Sequence, residues 1–343
     1  RKTKIVYMGT PEFAVAPLDA LRKNGYNIAG IVTVADKASG RGLKINESAV
    51  KKYAVEHNIP VLQPVSLKDP EFLEALKAWD ADIFVVVAFR MLPKVVWEMP
   101  KLGTFNLHAA LLPQYRGAAP INWAVINGEY ITGVTTFMIN EGIDTGHIMF
   151  RDQCRIEETD TAGDIHDKLM ALGSNLVVQT VESIIDKSVE LRLQKSFIQG
   201  SEVLKPAPKL TRELCHIDWN GKTKDIYNLI RGLSPYPAAF TELTKEGKEP
   251  QQMKIFFGEK VTGDAFNALL AENGRDSAAP GEVLSDGRNY LAISTEDGAI
   301  SITDLQLSGK KRMAVKDFLI GFRDASSYGT TKGTSSGITG KNS

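Results

Sequence analysis

The chain has 343 residues, 43% of them hydrophobic and 24% charged, which is ordinary for a globular protein. Lysine plus arginine and aspartate plus glutamate balance at 41 each, so composition gives no sign of a pure nucleic-acid binder. Two distant cysteines, Cys154 and Cys215, exclude a disulfide framework, and no apolar run approaches the roughly 18 residues of a membrane span. We therefore expect a cytoplasmic protein with no membrane partner, in which KIVYMG at the N-terminus is a first strand and not a signal peptide.

Predicted strands and helices alternate through the first half of the chain. The run DIFVVVAF (82–89) is apolar throughout, which is typical of a parallel strand buried on both faces. Thr10 and Pro11 can open a first helix, although Pro17 lies awkwardly inside it. The pattern predicts an α/β domain with a mostly parallel sheet and a final antiparallel pair. The strands are expected at 4–9, 27–34, 82–89, 103–109, 132–140 and 147–154, and the helices after residues 10 and 69 and at 48–58, 117–129 and 161–185.

The character of the chain changes after residue 204. Residues 205–215 carry prolines and lysines and are predicted to be a linker. One helix at 222–233 is followed by short strands separated by turns, which is typical of a small β-barrel over 216–324. The Ser/Thr/Gly-rich residues 325–343 are expected to be disordered. The predicted domains are therefore 1–204, a linker, a second domain at 216–324, and a tail.

The stretch FNLHAALLPQYRGAAP (105–120) carries the strongest signal for a site. Asn106 and His108 lie two apart, so they share one face of a strand near its C-terminal end, where ligands bind in open α/β sheets. Taken alone, a histidine in an apolar run is more often a buried structural residue. The accompanying asparagine, which strands disfavour, the irregular LLPQYRG turn and Asp144 in a later glycine-bearing loop together favour a site.

An amide, an imidazole and a carboxylate together suit acyl transfer. Asn106 and a protonated His108 can donate to an oxyanion, while Asp144 can hold the imidazole and relay a proton. No activated serine or cysteine accompanies them, so the attacking group is expected to belong to a substrate. MGTPEF after the first strand matches neither GxGxxG nor a P-loop, and it gives little support for a nucleotide cofactor.

Several segments resemble the folate-dependent formyltransferases, and most closely the methionyl-tRNA formyltransferases. The resemblance covers residues 3 to 322, and it is strongest in SGRGLKI, NLHAALLPQYRGAAP, INEGIDTGHI, IDW and LQLSGKKRM. It implies a Rossmann-like α/β catalytic domain with a small OB-like C-terminal barrel. It also implies formyl transfer from 10-formyltetrahydrofolate to the amino group of initiator methionyl-tRNA, by a monomer that needs no metal.

The resemblance carries particular residues onto this chain. The catalytic Asn, His and Asp fall on Asn106, His108 and Asp144. The sequence departs from the family at two points, since Ala110 stands where many members have Ser and the AFRMLP loop is short. The residues matched to folate binding are Phe89, Arg90, Met91, Leu92, Ala110, Leu111, Leu112, Pro113, Asn140, Glu141 and Gly142.

One basic loop matches the family's flexible loop near the tRNA, and local basic clusters on the linker and in SGKKR could hold phosphates if they line one groove. The loop DKASGRGLKI would bring its arginine to the tRNA acceptor end, where arginine can pair phosphates or stack on bases. Without the resemblance, each of these positions would be interpreted as an ordinary solvated charge. The residues are Arg41, Lys44, Lys205, Lys209, Lys310, Lys311 and Arg312.

Two other functions are compatible with the sequence. The same triad would serve a folate-dependent formyltransferase or hydrolase whose acceptor is a sugar-nucleotide amine or water. A non-catalytic tRNA- or nucleotide-binding protein on this fold is a further alternative, against which the intact Asn-His-Asp set weighs.

Overall fold

Apolar strands in the first half of the chain assemble into one seven-stranded sheet. The computed structural model describes residues 2–40, 42 and 44–331. The sheet has the order β5-β2-β1-β6-β7-β8-β9, parallel up to β7 and antiparallel beyond it, as predicted. Its strands are β1 (Lys4–Gly9), β2 (Asn27–Val32), β5 (Val61–Leu62), β6 (Ile83–Val87), β7 (Thr104–His108), β8 (Ile131–Met138) and β9 (Ile148–Arg155), and β3 (Lys37–Ser39) and β4 (Lys44–Asn46) form a separate hairpin.

Every residue of β6 is buried, as its uninterrupted apolar sequence predicts. After β1, the chain adds β2 and β5 on one side of that strand. It then returns to the other side of β1, where it adds β6 and β7. Ligands of open α/β sheets bind outside the carboxyl ends of the strands at such a reversal. β7 is the next strand beyond β6, so the carboxyl end of β7 lies beside that position.

The helices of this part of the chain begin at recognisable sequence signals. Ser48 and Asp69 cap the second and third helices by accepting hydrogen bonds from backbone N–H groups, and Pro70 occupies the first turn. The first helix runs through Pro17 and does not begin late. The helices are α1 (Glu12–Lys23), α2 (Ala49–Glu56), α3 (Pro70–Ala78), α4 (Lys94–Trp97), α5 (Pro120–Ile126) and α6 (Ala162–Ile185).

The chain divides into two units whose boundaries differ from the predicted ones. Unit 1 comprises Arg1–Pro120, Ile131–Arg155 and Ile165–Pro208, and unit 2 comprises Ile121–Tyr130, Ile156–Asp164 and Lys209–Ser343. These contact-based units differ from a single first domain over 1–204 in two short insertions, 121–130 and 156–164, which group with unit 2.

The two insertions belong to unit 2 because hydrogen bonds hold them there. Asn122 Nδ2 donates to the Gly232 carbonyl at 2.9 Å, and Tyr227 Oη donates to the Glu158 carbonyl at 2.9 Å. The buried Arg231 guanidinium donates to the Asp160 carbonyl at 3.0 Å. Such contacts join residues about 70 to 110 positions apart, and sequence spacing gives no indication of them.

The predicted linker, 205–215, is not a free connection, because it forms backbone pairs at one end and a short helix at the other. Ala207 pairs with Gly117 as a parallel bridge, and the Tyr115 N–H donates to the Lys205 carbonyl at 2.7 Å. The far end of the segment forms a short helix, α7 (Arg212–Cys215), which Thr211 caps. The prolines in this segment had suggested a solvated connection, but its backbone groups pair with residues 115–119 instead.

Unit 2 contains the predicted barrel. Its sheet runs β12-β13-β14-β11-β10-β16, with β15 on β14, and Glu282 next to β12 bridges Gly329 in β16 to bring the two ends together. Fully buried Trp219 lies in the core and donates to Thr241 Oγ1 at 3.0 Å. The elements are α8 (Thr223–Leu233), β10 (Ala239–Thr244), β11 (Gln251–Thr262), α9 (Gly263–Glu272), β12 (Val283–Ser285), β13 (Leu291–Ser294), β14 (Gly298–Leu307), β15 (Met313–Ala314), α10 (Val315–Ile320) and β16 (Gly329–Thr330).

The predicted disorder from residue 325 was wrong for 325–331. A 3₁₀ turn at Ala325–Ser327 leads into β16, which pairs with β10, and Thr330 Oγ1 donates to the Gly281 carbonyl at 2.7 Å. These Ser, Thr and Gly residues are ordered because the short strand they form pairs with β10 and completes the barrel. The rest of the predicted tail, 332–343, lies outside the described residues. Within the described part of the chain, no helix combines the length and apolar character that crossing a membrane requires.

Asp286 in the loop after β12 gives a prediction about pH. Burial raises the pKa of its carboxyl, but hydrogen bonds from the N–H groups of Asn289, Arg288 and Tyr290 outweigh this and bring the pKa from 3.8 to about 2. The ionised carboxylate therefore stabilises the fold above about pH 4, and this contribution is lost as the pH falls towards 2. In urea unfolding between pH 5 and 2.5, Asp286→Asn should lose stability with acid less steeply than the unmodified protein. The exposed Asp276→Asn should follow the unmodified curve.

Candidate active site

The carboxyl end of β7 holds the predicted Asn106 and His108 on the same face. Phe105 and Leu107, which alternate with them, are buried in the core and fix the orientation of the strand. The pairing of Asn106 with Val86 on one side and Phe137 on the other leaves its side chain half-buried. Among the described residues, the Asn106 amide has no side-chain hydrogen-bond partner, so it is available to a ligand.

His108 lies between two acceptors. Its Nε2 is 2.8 Å from the Tyr115 carbonyl, and since a carbonyl can only accept, Nε2 carries the hydrogen. Its Nδ1 is 3.8 Å from Oδ2 of Asp144, too far for a hydrogen bond but close for an ion pair. The two side chains are only 7% and 14% exposed, so this attraction is little screened by water. The Tyr115 carbonyl therefore fixes a hydrogen on Nε2, while Nδ1 faces the Asp144 carboxylate.

This geometry refines the role that the sequence predicts for His108. In the structure, neither ring nitrogen points to open space, because one meets the Tyr115 carbonyl and the other faces Asp144. Donation to an oxyanion would require the ring to give up the bond to Tyr115. Asn106 needs no such change.

Asp144 is held by its own backbone and by the segment after β7. It has φ 54, in the left-handed region that aspartate tolerates better than most residues. Its Oδ2 accepts a hydrogen bond from the Gly117 N–H at 2.9 Å. Since Tyr115 binds His108 and Gly117 binds Asp144, the segment 115–117 holds both members of the pair.

The turn Ala110–Pro113 was predicted to contact folate, and the structure limits what it can contribute. The side chains of Ala110, Leu112 and Pro113 are buried, and only Leu111 is partly exposed. Thr135 Oγ1 donates to the Ala110 carbonyl at 2.7 Å and accepts from the Leu112 N–H at 3.1 Å. The turn therefore forms a fixed wall of the site, and the buried Ala110 side chain cannot contact a ligand.

The loop 88–92 carries the next group of predicted residues. Leu92 is buried, Phe89 is half-buried and Met91 is 66% exposed. The Arg90 guanidinium lies over the Phe89 ring and donates to the carbonyls of Pro64 and Val65 at 2.8 and 2.9 Å. Arg90 therefore fixes its loop to another loop, a contact that no sequence pattern predicts.

Asn140, Glu141 and Gly142 lie on the exposed loop before Asp144. Asn140 Oδ1 accepts hydrogen bonds from the Gly142 N–H at 3.0 Å and from Thr145 Oγ1 at 2.9 Å. Glu141 Oε1 lies 3.4 Å from Lys94 Nζ on α4. These contacts fix the shape of the loop that carries Asp144. The Asn140 side chain therefore stabilises its own loop in this structure.

Comparisons with known proteins show the family to which the chain belongs. The model of the "Formyl transferase" family matches residues 3–181, and that of the "Formyl transferase, C-terminal domain" matches 209–323. A methionyl-tRNA formyltransferase of Azobacteroides pseudotrichonymphae is 53% identical over 321 residues, which cover 93% of this chain and 96% of that protein. The chain belongs to the methionyl-tRNA formyltransferase family. Another member, from Bacteroides fragilis, is 50% identical over 93% of this chain and 95% of its own length.

More distant solved structures share the fold of this methionyl-tRNA formyltransferase family member. WlaRD, a sugar 3N-formyl transferase, has a TM-score of 0.60 at 21% identity and covers 91% of this chain and all of its own. HypX from Aquifex aeolicus in complex with tetrahydrofolic acid has a TM-score of 0.61 at 18% identity, over 94% of this chain and 48% of its own. At these identities, the likeness extends to the fold alone.

The basic residues that the methionyl-tRNA formyltransferase resemblance singles out differ in their surroundings. Arg41 lies outside the described residues. Arg312 is held by both carboxylate oxygens of Asp304, at distances down to 2.6 Å, and its guanidinium lies over the Phe256 ring. The others are exposed: Lys44 on β4, and Lys205, Lys209, Lys310 and Lys311.

The sequence did not indicate four residues that hold the site together. The Tyr115 carbonyl accepts from the His108 ring, and Thr135 and Gln194 donate to backbone carbonyls of the site. Arg116 donates to Gln194, and none of the four belongs to a motif that predicts such a role. The irregular QYRG turn was the only available signal, and it pointed to the segment but not to its partners. Within the described residues, no group of three His, Cys, Asp or Glu side chains comes together as a metal site would require.

Thr135 offers a test of how the wall of the site is fixed. Thr135→Val keeps the shape of the side chain but leaves the buried Ala110 carbonyl and Leu112 N–H without their partner. The free energy of unfolding should fall by about 1–3 kcal/mol, measured by urea denaturation. Thr132→Val on the same strand is the matched control. Thr132 is also buried, but its hydroxyl has no hydrogen-bond partner in the described structure, so the change should be much smaller.

Proposed function

We propose that this protein transfers the formyl group of 10-formyltetrahydrofolate to the α-amino group of methionine on initiator methionyl-tRNA. The observation that carries the proposal is the meeting of Asn106, His108 and Asp144 at the carboxyl end of β7. This occurs in a chain that is 53% identical to a methionyl-tRNA formyltransferase over nearly its full length. The family membership supports the acceptor, and the triad supports acyl transfer.

The residues around the triad fit a folate. The loops at 88–92 and 140–143 offer exposed apolar groups, Met91 and Ile143, which suit a flat heteroaromatic ring. The half-buried Asn106 amide is free to orient a polar group. When bound, 10-formyltetrahydrofolate supplies an activated formyl carbon for the methionine amine to attack. Of the predicted contacts, we assign direct roles to Phe89, Met91, Leu111 and the loop 140–142, and a supporting role to the buried side chains of Leu92, Ala110, Leu112 and Pro113.

Each member of the triad has a distinct role in the proposed chemistry. The Asn106 amide donates to the formyl oxygen as that oxygen gains negative charge. The His108 ring leaves the Tyr115 carbonyl to donate to the same oxygen or to the departing nitrogen, N10. Asp144 stabilises the charged ring and accepts the proton that the attacking amine releases, directly or through a water. The new carbon–nitrogen bond forms first and places negative charge on the formyl oxygen. The bond to N10 then breaks as N10 receives a proton, and tetrahydrofolate leaves.

The tRNA part of the proposal depends on exposed lysines. The exposed lysines are Lys44, Lys205, Lys209, Lys310 and Lys311, and the resemblance adds Arg41 at the acceptor end. We do not assign a phosphate contact to Arg312, because pairing with Asp304 already satisfies its charge.

The direct test is formyl transfer from 10-formyltetrahydrofolate to methionyl-initiator tRNA, followed as formylmethionine on the tRNA. Methionyl-elongator tRNA, a sugar-nucleotide amine and water serve as competing acceptors. We expect transfer to the initiator tRNA to dominate. Preferential transfer to the sugar amine, or hydrolysis alone, would contradict the proposal.

His108→Ala should lower kcat about 10²- to 10⁴-fold, since it removes both a donor and the charge opposite Asp144. The measurement is single-turnover formyl transfer at saturating folate and tRNA. His57→Ala, which alters a ring packed against Tyr53 on α2, is the control and should keep near-normal turnover. Near-normal turnover of His108→Ala would remove this residue from the mechanism.

Replacing Lys310 and Lys311 together by Ala should weaken tRNA binding without changing folate binding. Each lost phosphate contact should reduce the slope of log affinity against log salt by about 0.9, so the double variant should have a slope up to about 2 smaller. Affinity is measured by filter binding between 50 and 200 mM salt. Lys316→Ala, an exposed lysine of the same unit, is the control. An unchanged salt slope in the double variant would mean that neither lysine contacts the tRNA.

A further inference from the structure

Gln194 is a buried polar side chain with every hydrogen-bonding group in use. It is 4% exposed and begins the 3₁₀ turn Gln194–Phe197. Its Nε2 donates to the carbonyls of Asp144 at 2.7 Å and Gly146 at 2.9 Å. Its Oε1 accepts from Arg116, at 3.1 Å from Nε and 2.8 Å from Nη2. An amide has two donor hydrogens and two acceptor lone pairs, and here all four are satisfied.

These four bonds join the two segments that carry the catalytic geometry. On one side, Gln194 binds the loop in which Asp144 adopts its left-handed conformation. On the other, it holds Arg116, which lies between Tyr115 and Gly117. Those neighbours bind Nε2 of His108 and Oδ2 of Asp144. Gln194 therefore connects, through one amide, the backbone of Asp144 to the segment that holds both Asp144 and His108.

We propose that Gln194 is a positioning residue that sets the distance between His108 and Asp144. The structural part of this inference stands on geometry alone, while its effect on turnover rests on the proposed function. The Asp144 loop has few other anchors to this segment, since its residues 140–145 are exposed or half-buried and mostly bond among themselves. A displacement of about 1 Å at a reacting group can cost on the order of 10² in rate, so such an anchor matters to catalysis.

Two substitutions distinguish the role of the Gln194 donor, Nε2, from that of its acceptor, Oε1. Gln194→Ala removes all four bonds and leaves two carbonyls and a guanidinium without partners. Gln194→Glu keeps the acceptor for Arg116 but places a carboxylate oxygen against the carbonyls of Asp144 and Gly146, so it specifically releases the Asp144 loop. Thr180→Val is the matched control, because Thr180 is also buried in unit 1 and bonds through its hydroxyl to Thr136 and the Leu176 carbonyl.

The first readout is the imidazole of His108, observed by ¹H–¹⁵N NMR of histidine-labelled protein. The chain has five histidines, and a His108→Gln variant identifies the signal. In both Gln194 variants, the His108 ring signals should move, because the ring loses its fixed neighbours. In Thr180→Val the His108 signals should keep their chemical shifts, even if its melting temperature falls as much as that of the Gln194 variants. This readout requires neither folate nor tRNA.

The second readout is formyl transfer to methionyl-initiator tRNA. Both Gln194 variants should lose about 10- to 100-fold in kcat, while KM for folate and for tRNA should change less than about threefold. Combining Gln194→Ala with Arg116→Ala should cost little more than Gln194→Ala alone, since the two residues belong to one network. Thr180→Val should keep its kcat.

The outcomes distinguish this inference from the proposed function. Unmoved His108 signals with unchanged kcat in both Gln194 variants would overturn the positioning role. A fall in kcat that Thr180→Val shares in proportion to lost stability would also overturn it. If the unmodified protein transfers no formyl group to tRNA while the His108 signals still respond to Gln194, the proposed function fails and the positioning role remains.

Discussion

The site depends on the three-residue backbone segment Tyr115–Gly117. One carbonyl and one N–H of this segment bind His108 and Asp144, so the same short stretch of backbone holds both side chains. A backbone carbonyl and N–H cannot change rotamer as side chains do, and this makes them precise anchors for the two residues. Residues 205–207 pair with this segment in turn, through the Gly117–Ala207 bridge and two backbone hydrogen bonds, and a third bond joins Ala207 to Ala119.

The sheet order explains why this segment is needed. The parallel strands bring the carboxyl ends of β6 and β7 to one edge, but β8 runs antiparallel to β7. Met138 at the end of β8 pairs with Phe105 near the start of β7, so the loop that leaves β8 begins at the other end of β7 from His108. Sheet pairing alone therefore does not bring Asp144 to His108, and the hydrogen bond from the Gly117 N–H holds the carboxylate 3.8 Å from the ring. Thr135 on β8 then fixes the turn that follows β7.

Sequence patterns predicted those parts of the structure that local chemistry controls. The apolar run of β6, the helix that opens at Asp69, and the shared face of Asn106 and His108 follow from periodicity and side-chain type. The same reasoning failed for residues 205–207 and 325–331, where proline, serine and glycine suggested loose chain. Both segments are ordered because their peptide groups pair with distant ones, and backbone pairing leaves almost no trace in side-chain identity.

By itself, the sequence determined the mostly parallel sheet and, through resemblance, the family to which the chain belongs, and it predicted the triad Asn106, His108 and Asp144. The tertiary structure decided how the triad is held: Nε2 of His108 is engaged by a carbonyl, Ala110 is buried, Arg312 is paired with Asp304, and Gln194 joins the loops. The physical reason is that the triad consists of side chains, whose type and spacing are written in the sequence. The supports are contacts between segments tens of residues apart, and only the folded chain brings those together.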